Sequence, residues 1–237
     1  MLHAVALRLD APLMSFGGVV VDNHGITAAF PGRSMLTGLL ANALGYRHRD
    51  GARLQALQAR LRYAVRCDRP GKELQDYQTV GLSQDFLKEG WTSSGLPEGR
   101  EGGSAKTGTH IRYRDYLADA IYTLAVTLDP LDELPGLEEM AGALRAPARP
   151  LFIGRKTCLP AGPLLIDLRN GSSLLTILQS IPVPSARAAE PPWRAWWPAD
   201  ETADSPGSRL IAVTDDRDWL NQIHTGRRWM REGTIHG

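Results

Sequence analysis

The alternation of hydrophobic and polar positions divides the first part of the chain into a strand, a loop and a helix. Residues 2–9 alternate with the period of two that is typical of a strand, whereas residues 10–32 are rich in Gly, Pro and small side chains and predict a long loop. Apolar residues then recur on one helical face over 35–44. Ser34 is in position to cap this helix and Gly45 to end it.

A second, short helix and a strictly alternating strand come next. Asp50 can cap the helix, whose leucines recur at spacings of three and four. Residues 61–67 then place Leu, Tyr, Val and Cys on one face and Arg62 and Arg66 on the other. We therefore expect a strand with one basic face.

A long insertion with strand character at both ends interrupts this pattern. The strand-like runs 73–80 and 110–116 are separated by residues 81–109, which contain seven glycines. We interpret the insertion as a β-hairpin extension with a poorly ordered tip.

The pattern after the insertion completes an α+β domain. Residues 119–128 are almost wholly apolar, as expected of a central strand, and residues 132–144 show helical spacing with acidic residues on the opposite face. A short apolar segment at 151–153 or 164–168 then supplies a fourth strand. This order of elements predicts a ferredoxin-like (RRM-like) βαββαβ fold with an inserted hairpin.

The C-terminal part of the chain differs in character. Six prolines lie between positions 182 and 206, and Trp193, Trp196 and Trp197 cluster among them. We predict an irregular extension that packs on the domain, followed by a final strand over 209–214 and a basic tail.

Composition places the chain among ordinary globular proteins. Its 237 residues are 43% hydrophobic and 22% charged, which excludes disordered, collagen-like and disulfide-stapled classes. Cys67 and Cys158 are far apart and have no cluster of histidines beside them, so neither a zinc site nor a disulfide framework is expected. We predict a cytoplasmic protein that does not span a membrane, because the sequence shows no signal-peptide pattern and no run of about 20 apolar residues.

The net charge of +1 argues against a nucleic-acid partner, but the distribution of the charges weakens that argument. Of the 27 basic residues, 23 are arginines, whose planar guanidinium suits phosphate contact. A GC-rich genome would explain the same bias. Residues 1–70 hold nine Arg against four Asp, whereas 129–139 and 190–218 are acidic. Segregated charge of this kind favours an RNA-binding surface modestly.

The usual catalytic signatures are absent from the sequence. The six histidines form no HEXXH motif, and no GxSxG elbow, Walker lysine or GxGxxG loop is present. A metal-independent ribonuclease needs only a general base, a general acid and a cation. Tyr46 with His48 and Lys106 with His110 would supply them if the fold brought these residues together. The alternative is that all four are surface residues of loops.

Two segments have the residue types that bind phosphate. Arg33 and Ser34 lie at the start of the first predicted helix, where free amides and the positive end of the helix dipole attract an anion. Arg33 could instead form only a salt bridge. Arg155 and Lys156 follow a glycine in a turn, where the backbone can approach an anion closely.

The second hairpin strand mixes aromatic and basic residues. Its alternation places His110, Arg112 and Arg114 on one face and Ile111 and Tyr113 on the other. Single-stranded RNA needs both kinds of group. A solvated strand edge is an equally good interpretation.

Six short segments, in this order and spacing, resemble the CasD subunits of the subtype I-E CRISPR surveillance complex, Cascade, which belong to the RAMP superfamily. The resemblance extends from the first strand to about residue 170, and no motif after residue 180 matches. The segments are Leu9-Asp-Ala-Pro-Leu-Met-Ser-Phe-Gly17, Phe30-Pro-Gly-Arg-Ser-Met-Leu-Thr-Gly-Leu-Leu40, Tyr63-Ala-Val-Arg-Cys-Asp68, Asp76-Tyr-Gln-Thr-Val80, Tyr113-Arg-Asp-Tyr-Leu-Ala-Asp-Ala120 and Leu151-Phe-Ile-Gly-Arg-Lys-Thr-Cys158.

The resemblance implies a ferredoxin-like palm with an inserted hairpin thumb. On this chain the palm would comprise 1–72 and 117–180 and the thumb 73–116, with 181–237 as a Pro/Trp-rich segment that packs on the palm. Such subunits cap one end of the assembly and hold the 5′ handle of the CRISPR RNA. They contact the backbone and large subunits, and they meet target DNA only through the complex.

The resemblance also implies that the protein is not an enzyme and needs no metal or cofactor, because another subunit cuts the precursor RNA in this subtype. Relatives in another subtype are themselves processing nucleases that use Tyr, Lys and His, which keeps an endoribonuclease as the alternative. Matched to the motifs and to the basic hairpin strand, the expected RNA-binding residues are Met14, Ser15, Phe16, Gly17, Arg33, Ser34, Tyr77, Lys106, His110, Arg112, Arg114, Arg155 and Lys156.

Overall fold

The computed structural model describes residues 1–18, 23–81, 89–91, 97–99, 109–184, 186–201 and 207–236 of a mixed α+β fold in which strands predominate. The strands are β1 (Leu2–Asp10), β2 (Leu13–Met14), β3 (His24–Gly25), β4 (Leu61–Arg69), β5 (Lys72–Gly81), β6 (Glu89–Trp91), β7 (Pro97–Gly99), β8 (Thr109–Ala118), β9 (Ile121–Leu128), β10 (Leu165–Gly171), β11 (Trp193–Pro198), β12 (Arg209–Val213), β13 (Asp216–Asp218), β14 (Ile223–Thr225) and β15 (Arg228–Ile235). The helices are α1 (Arg33–Ala43), α2 (Gly51–Arg60), α3 (Leu137–Arg145) and α4 (Leu174–Ser180).

Seven strands form the main sheet in the order β10-β1-β9-β4-β11-β15-β12, and each neighbouring pair is antiparallel. The apolar strand β9 lies between β1 and β4, which confirms its predicted central place. Helices α1 and α2 precede β4 in the chain, and α3 precedes β10. Of the two candidates for the fourth strand, the later one is confirmed as β10, whereas residues 151–153 form no strand.

The two faces of the main sheet pack on different helices because their residues differ in size. The face toward α1 and α3 carries large side chains, among them Leu7, Tyr63, Val65 and Leu124. The opposite face is lined by alanines, which let α4 approach closely. Those alanines are Ala4, Ala6, Ala64 and Ala125, and they pack with Leu174 and Ile177 of α4.

The predicted cap of the first helix is wrong, and that of the second is confirmed in position but not as a side-chain hydrogen bond. Helix α1 begins at Arg33 with Gly32 as its N-cap, and the Ser34 hydroxyl caps nothing. Helix α2 does follow Asp50, but the Asp50 carboxylate accepts a hydrogen bond from the Arg47 amide at 2.8 Å, outside the helix.

The predicted helix over 132–144 begins later than its apolar spacing indicates. Helix α3 starts at Leu137, and Leu134 is 86% exposed in the preceding loop. Pro135 and Gly136 explain the difference, because proline disfavours helical backbone in the residue before it and glycine is a weak helix former.

The predicted hairpin extension is confirmed as a pairing of β5 with β8, from Lys72 opposite Ala118 to Gly81 opposite Thr109. The predicted loop 10–32 is wrong in two places, because β2 and β3 also pair with β8. A further short pair, β6 with β7, lies within the insertion. Most of the predicted poorly ordered tip lies outside the described residues.

The prediction of an irregular C-terminal extension is wrong. Strand β11 pairs with β4, and β15 and β12 continue the main sheet beyond it. Trp196 and Trp197 are buried on opposite faces of the sheet. The strand predicted over 209–214 is confirmed as β12, but it is followed by β13, β14 and β15.

The predicted basic face of β4 is not a surface. Arg66 and Asp68 both have no exposed side-chain area and form an ion pair of 2.5 Å. Arg66 also donates to the carbonyls of Leu178 and Ile181 at the end of α4. Arg62 is partly exposed and binds the Asp200 carboxylate at 2.8 Å.

None of the described helices has the length and apolar character needed to cross a membrane. Cys67 and Cys158 are buried free thiols. Burial raises the pKa of the Cys67 thiol to about 11, so it stays protonated at neutral pH.

Candidate nucleic-acid interface

A cavity of about 570 Å³ lies where four distant parts of the chain meet. Its walls come from the loop after β2, from α1 and the turn that follows it, from the turn at residues 149–155, and from the C-terminal strands. We call it the palm cavity. Its basic lining residues are Arg47, His48, Arg149, Arg155, Arg217 and His224, and its aromatic ones are Phe16, Tyr46, Phe152 and Trp219.

The palm cavity has no acidic lining. Among the described residues that surround it, none is an aspartate or a glutamate. Four arginines and two histidines therefore line one cavity that has no carboxylate among its described lining residues. Such a site attracts anions, and its aromatic walls offer surfaces for flat rings.

The loop expected to contact RNA is held in place from several sides. The Ser15 amide donates to the Ile153 carbonyl at 3.3 Å, and the Ser15 hydroxyl donates to the Asp115 carbonyl at 3.1 Å. The Phe16 ring meets the Tyr122 ring edge-on, with 4.9 Å between centroids. Met14 has no exposed area and belongs to the core, so only the rest of the loop reaches the palm cavity.

The glycine of the predicted Gly-Arg-Lys turn serves a close approach within the chain itself. Gly154 has a φ of +87°, and a Cβ atom there would lie 1.6 Å from the Ser15 carbonyl oxygen. The atom that lies too close to Gly154 to permit a side chain there thus belongs to the protein's own backbone. The turn and the Ser15 loop form one wall of the palm cavity.

We expect Gly154→Ala to destabilise the protein and to displace this wall. The left-handed backbone alone costs about 1–2 kcal/mol for a residue with a Cβ atom, and the overlap with Ser15 adds to it. Chemical denaturation measures the effect. Gly142→Ala is the matched control, since that glycine lies in α3 with open space around it and should gain about 0.5–1 kcal/mol. Equal stabilisation by both variants would contradict this account of the turn.

Arg155 ties the hairpin to the turn. Its guanidinium donates to the Gly25 carbonyl at 2.6 Å and to the Asp115 carbonyl at 3.1 Å, and its central carbon lies 4.7 Å from the centre of the Tyr116 ring. Lys156 beside it is exposed. Arg155 therefore holds β3 and β8 together at the edge of the palm cavity.

An acidic residue of the chain occupies the helix start that was expected to hold phosphate. The Asp215 carboxylate accepts a hydrogen bond from the Arg33 amide at 2.7 Å, and the Asp215 carbonyl accepts one from the Ser34 amide at 2.9 Å. The Arg33 guanidinium pairs with Asp216, with Nε 2.5 Å from Oδ1. Of the two interpretations of Arg33, the structure therefore shows the salt bridge, and Ser34 lines the palm cavity beside it.

The hairpin presents its expected residues on two faces. Tyr77 is 56% exposed and lies opposite Tyr113 in the register of β5 with β8. His110, Arg112 and Arg114 are exposed on the other face of β8. Lys106 lies outside the described residues.

The residues of the alternative nuclease are not all brought together. Tyr46 and His48 both line the palm cavity, but His110 does not. Tyr46 is also covered, since the Arg53 guanidinium lies 3.8 Å from the centre of its ring.

Arg217 and His224 are functional candidates that the sequence did not reveal. They face each other across the pair β13–β14, and both line the palm cavity. The Arg217 Nε and the His224 Nδ1 atoms are buried and have no hydrogen-bond partner. Strands of three residues carry no periodic signal, and only the long-range fold places them opposite the Phe16 loop.

Comparison with known proteins points to one family. The model of the family described as CRISPR-associated protein (Cas_Cas5) matches residues 4–231. The CRISPR system Cascade subunit CasD of Escherichia coli (strain K12) is 32% identical over 175 residues, which are 70% of this chain and 71% of that protein.

Solved structures agree with this finding. A chain of a CRISPR RNA-guided surveillance complex is similar with a TM-score of 0.70 and 26% identity, covering 98% of this chain and 89% of that one. A crystal structure of a Cas protein is similar in fold, with a TM-score of 0.56 and 24% identity, covering 98% of this chain and 94% of that one. Because the family model spans nearly the whole sequence, the chain belongs to the Cas5 family of CRISPR-associated proteins.

Proposed function

We propose that the protein is a non-catalytic RNA-binding subunit of a CRISPR RNA-guided surveillance complex. In this role it caps one end of the assembly and holds the 5′ handle of the CRISPR RNA. The observation that carries the proposal is the palm cavity, in which six basic and four aromatic side chains meet without an acidic one. Guanidinium groups bind phosphates, and aromatic rings stack on the bases of single-stranded RNA.

The unpaired atoms of Arg217 and His224 support an anionic ligand at this site. A buried donor without a partner costs about 1–3 kcal/mol, and more when the group is charged. A phosphate oxygen that reached Arg217 Nε would satisfy this donor. The palm cavity is large enough for a nucleotide, since small-molecule sites commonly measure about 300–1,000 Å³.

The fold supports the proposed division into palm and thumb. The strand order β10-β1-β9-β4, with antiparallel neighbours and intervening helices, is consistent with a ferredoxin-like domain and supports this assignment. We assign residues 1–72 and 117–180 to the palm and 73–116 to the thumb. The C-terminal residues 181–237 then complete the palm sheet.

The relatives support the proposed partners. One of them is a subunit of Cascade, and another belongs to an RNA-guided surveillance complex. We propose that this subunit contacts backbone and large subunits, whereas target DNA reaches it only through the complex. The acidic α3, with Glu138 and Glu139 in its first turn, offers a face suited to protein partners and unsuited to RNA.

Replacing Arg217 by Gln should weaken binding of handle RNA. One lost phosphate contact is expected to raise Kd about 5- to 100-fold and to lower the slope of log K against log salt by about one. Arg227→Gln is the matched control, because it removes one charge from an exposed arginine of the same segment. Fluorescence anisotropy with the complex-derived RNA, over a range of salt, measures both quantities.

Two outcomes would contradict the proposed function. If the complex assembled in cells contains no RNA with a shared 5′ sequence, the subunit does not hold a handle. If the isolated subunit cleaves repeat RNA in EDTA, it is a metal-independent endoribonuclease and the non-catalytic role is wrong.

A further inference from the structure

We propose that His24, Tyr113 and Tyr77 form a second RNA-contact surface, a platform on which bases of single-stranded RNA stack. We call these three residues the aromatic row. The inference rests on the proposed function, since it takes RNA as the ligand, but it concerns a surface distinct from the palm cavity. None of the three residues lines that cavity.

The aromatic row crosses three adjacent strands. His24 on β3 lies opposite Tyr113 on β8, which lies opposite Tyr77 on β5. The His24 and Tyr113 rings are stacked, with 4.7 Å between centroids and 18° between planes. The Tyr113 and Tyr77 rings meet edge-on at 5.5 Å. Three rings therefore form one continuous surface on a single face of the sheet.

The row is open to solvent. Tyr77 is 56% exposed, His24 is exposed and Tyr113 is partly so. Aromatic pairs that only stabilise a sheet are usually covered on one side by a core, whereas β5 and β8 bury no side chain at these positions. Exposed rings on adjacent strands are the arrangement that RNA-binding sheets use to stack two or three bases.

The chemistry of the face favours bases over phosphates. The same-face neighbours of the row at the adjacent registers are Gln75 with Asp115 and Thr79 with Ile111, and none of these is basic. The basic residues of β8 lie on the opposite face. Contact here would rest on stacking, which depends on the π face of a base and hardly on salt.

Arg155 connects the aromatic row to the palm cavity. It lines the cavity, and its guanidinium holds the Gly25 carbonyl next to His24. The same side chain binds the Asp115 carbonyl two residues from Tyr113. Arg155 is thus a positioning residue that keeps β3 against β8, and an RNA strand leaving the cavity at this edge reaches the row.

The test replaces Tyr77 by Leu, which keeps an apolar side chain and removes the ring. We expect Kd for handle RNA to rise about 5- to 100-fold, as for the loss of one stacked base, with the salt slope unchanged. Tyr77→Phe should restore the affinity. Val80→Ala is the control, since Val80 is 44% exposed on the opposite face of β5 and should leave binding unchanged.

The possible outcomes separate this inference from the proposed function. If wild type binds handle RNA and Arg217→Gln weakens it while Tyr77→Leu and Tyr113→Leu do not, the aromatic row is not an RNA platform but the function stands. If wild type binds no RNA, both fail. If Tyr77→Leu leaves RNA affinity intact but prevents assembly of the complex, the row contacts a protein and the inference is wrong.

Discussion

Replacement of Asp215 by Ala is expected to lower the free energy of unfolding by about 3–5 kcal/mol, because it leaves the largely buried Arg228 without its carboxylate. The Asp215 carboxylate accepts from Arg228 Nε at 2.7 Å, from the Tyr63 hydroxyl at 3.2 Å and from the Arg33 amide at 2.7 Å. Burial alone would hinder its ionisation. The hydrogen bonds and charge of Arg228, with the Arg33 amide, outweigh burial and hold the pKa of Asp215 below its ordinary value.

Urea denaturation as a function of pH tests this prediction. A carboxyl whose folded pKa is lowered stabilises the protein above its unfolded pKa of about 3.9, and this contribution is lost as pH falls through the folded value. The difference in free energy of unfolding between wild type and Asp215→Ala should therefore have its full value at pH 7 and become smaller below about pH 4. Asp132→Ala, at an exposed position, should leave the midpoint nearly unchanged. A difference that stays constant down to strongly acidic pH would contradict the role of the ionised carboxyl.

Removal of Arg66 should have an effect of similar size for a related reason. Arg66→Ala leaves the Asp68 carboxylate, which has no exposed area, without its cation. It also frees the carbonyls of Leu178 and Ile181 at the end of α4. Breaking a buried ion pair on one side costs about 3–5 kcal/mol, so the midpoint of chemical unfolding should fall steeply.

Two further variants distinguish the buried charge from general disruption. Arg62→Ala removes an arginine from the same strand whose pair with Asp200 is partly exposed, and such pairs contribute about 0–1 kcal/mol. The double variant Arg66→Met with Asp68→Leu removes both charges and should recover much of the lost stability. If the double variant is less stable than Arg66→Ala alone, the unpaired carboxylate is not the cause.

Local pattern predicted the part of the fold in which each element buries one face. Hydrophobic residues recur with a regular period in β1, β4, β9 and α1. They do so because the residues on one face of an element all contact the same neighbouring layer. The same logic failed at the start of α3. There the apolar spacing extended back to Leu134, but proline and glycine chemistry prevented the helix from following it.

Apart from β12, the C-terminal strands could not be predicted because their partners are distant in sequence. Trp196 pairs with Val65, and Arg33 forms its ion pair with Asp216. No local period records such contacts, and the prolines around β11 indicated irregular structure. The candidate site depends on the same long-range packing, since Arg217 and His224 reach the palm cavity only after the C-terminal strands have joined the sheet.

Because β11 pairs with β4 in the main sheet, cutting the chain before β11 would expose the edge of β4. Without β11, β4 would end the sheet with a row of unpaired amides and carbonyls, and the pocket for Trp196 would be open. Exposed edges of this kind join the edges of other chains and lead to aggregation. The last 50 or so residues thus cover the edge of β4 and prevent it from pairing with other chains. A fragment that stops near residue 180 is expected to self-associate even though it retains the Phe16 loop and the paired strands β5 and β8.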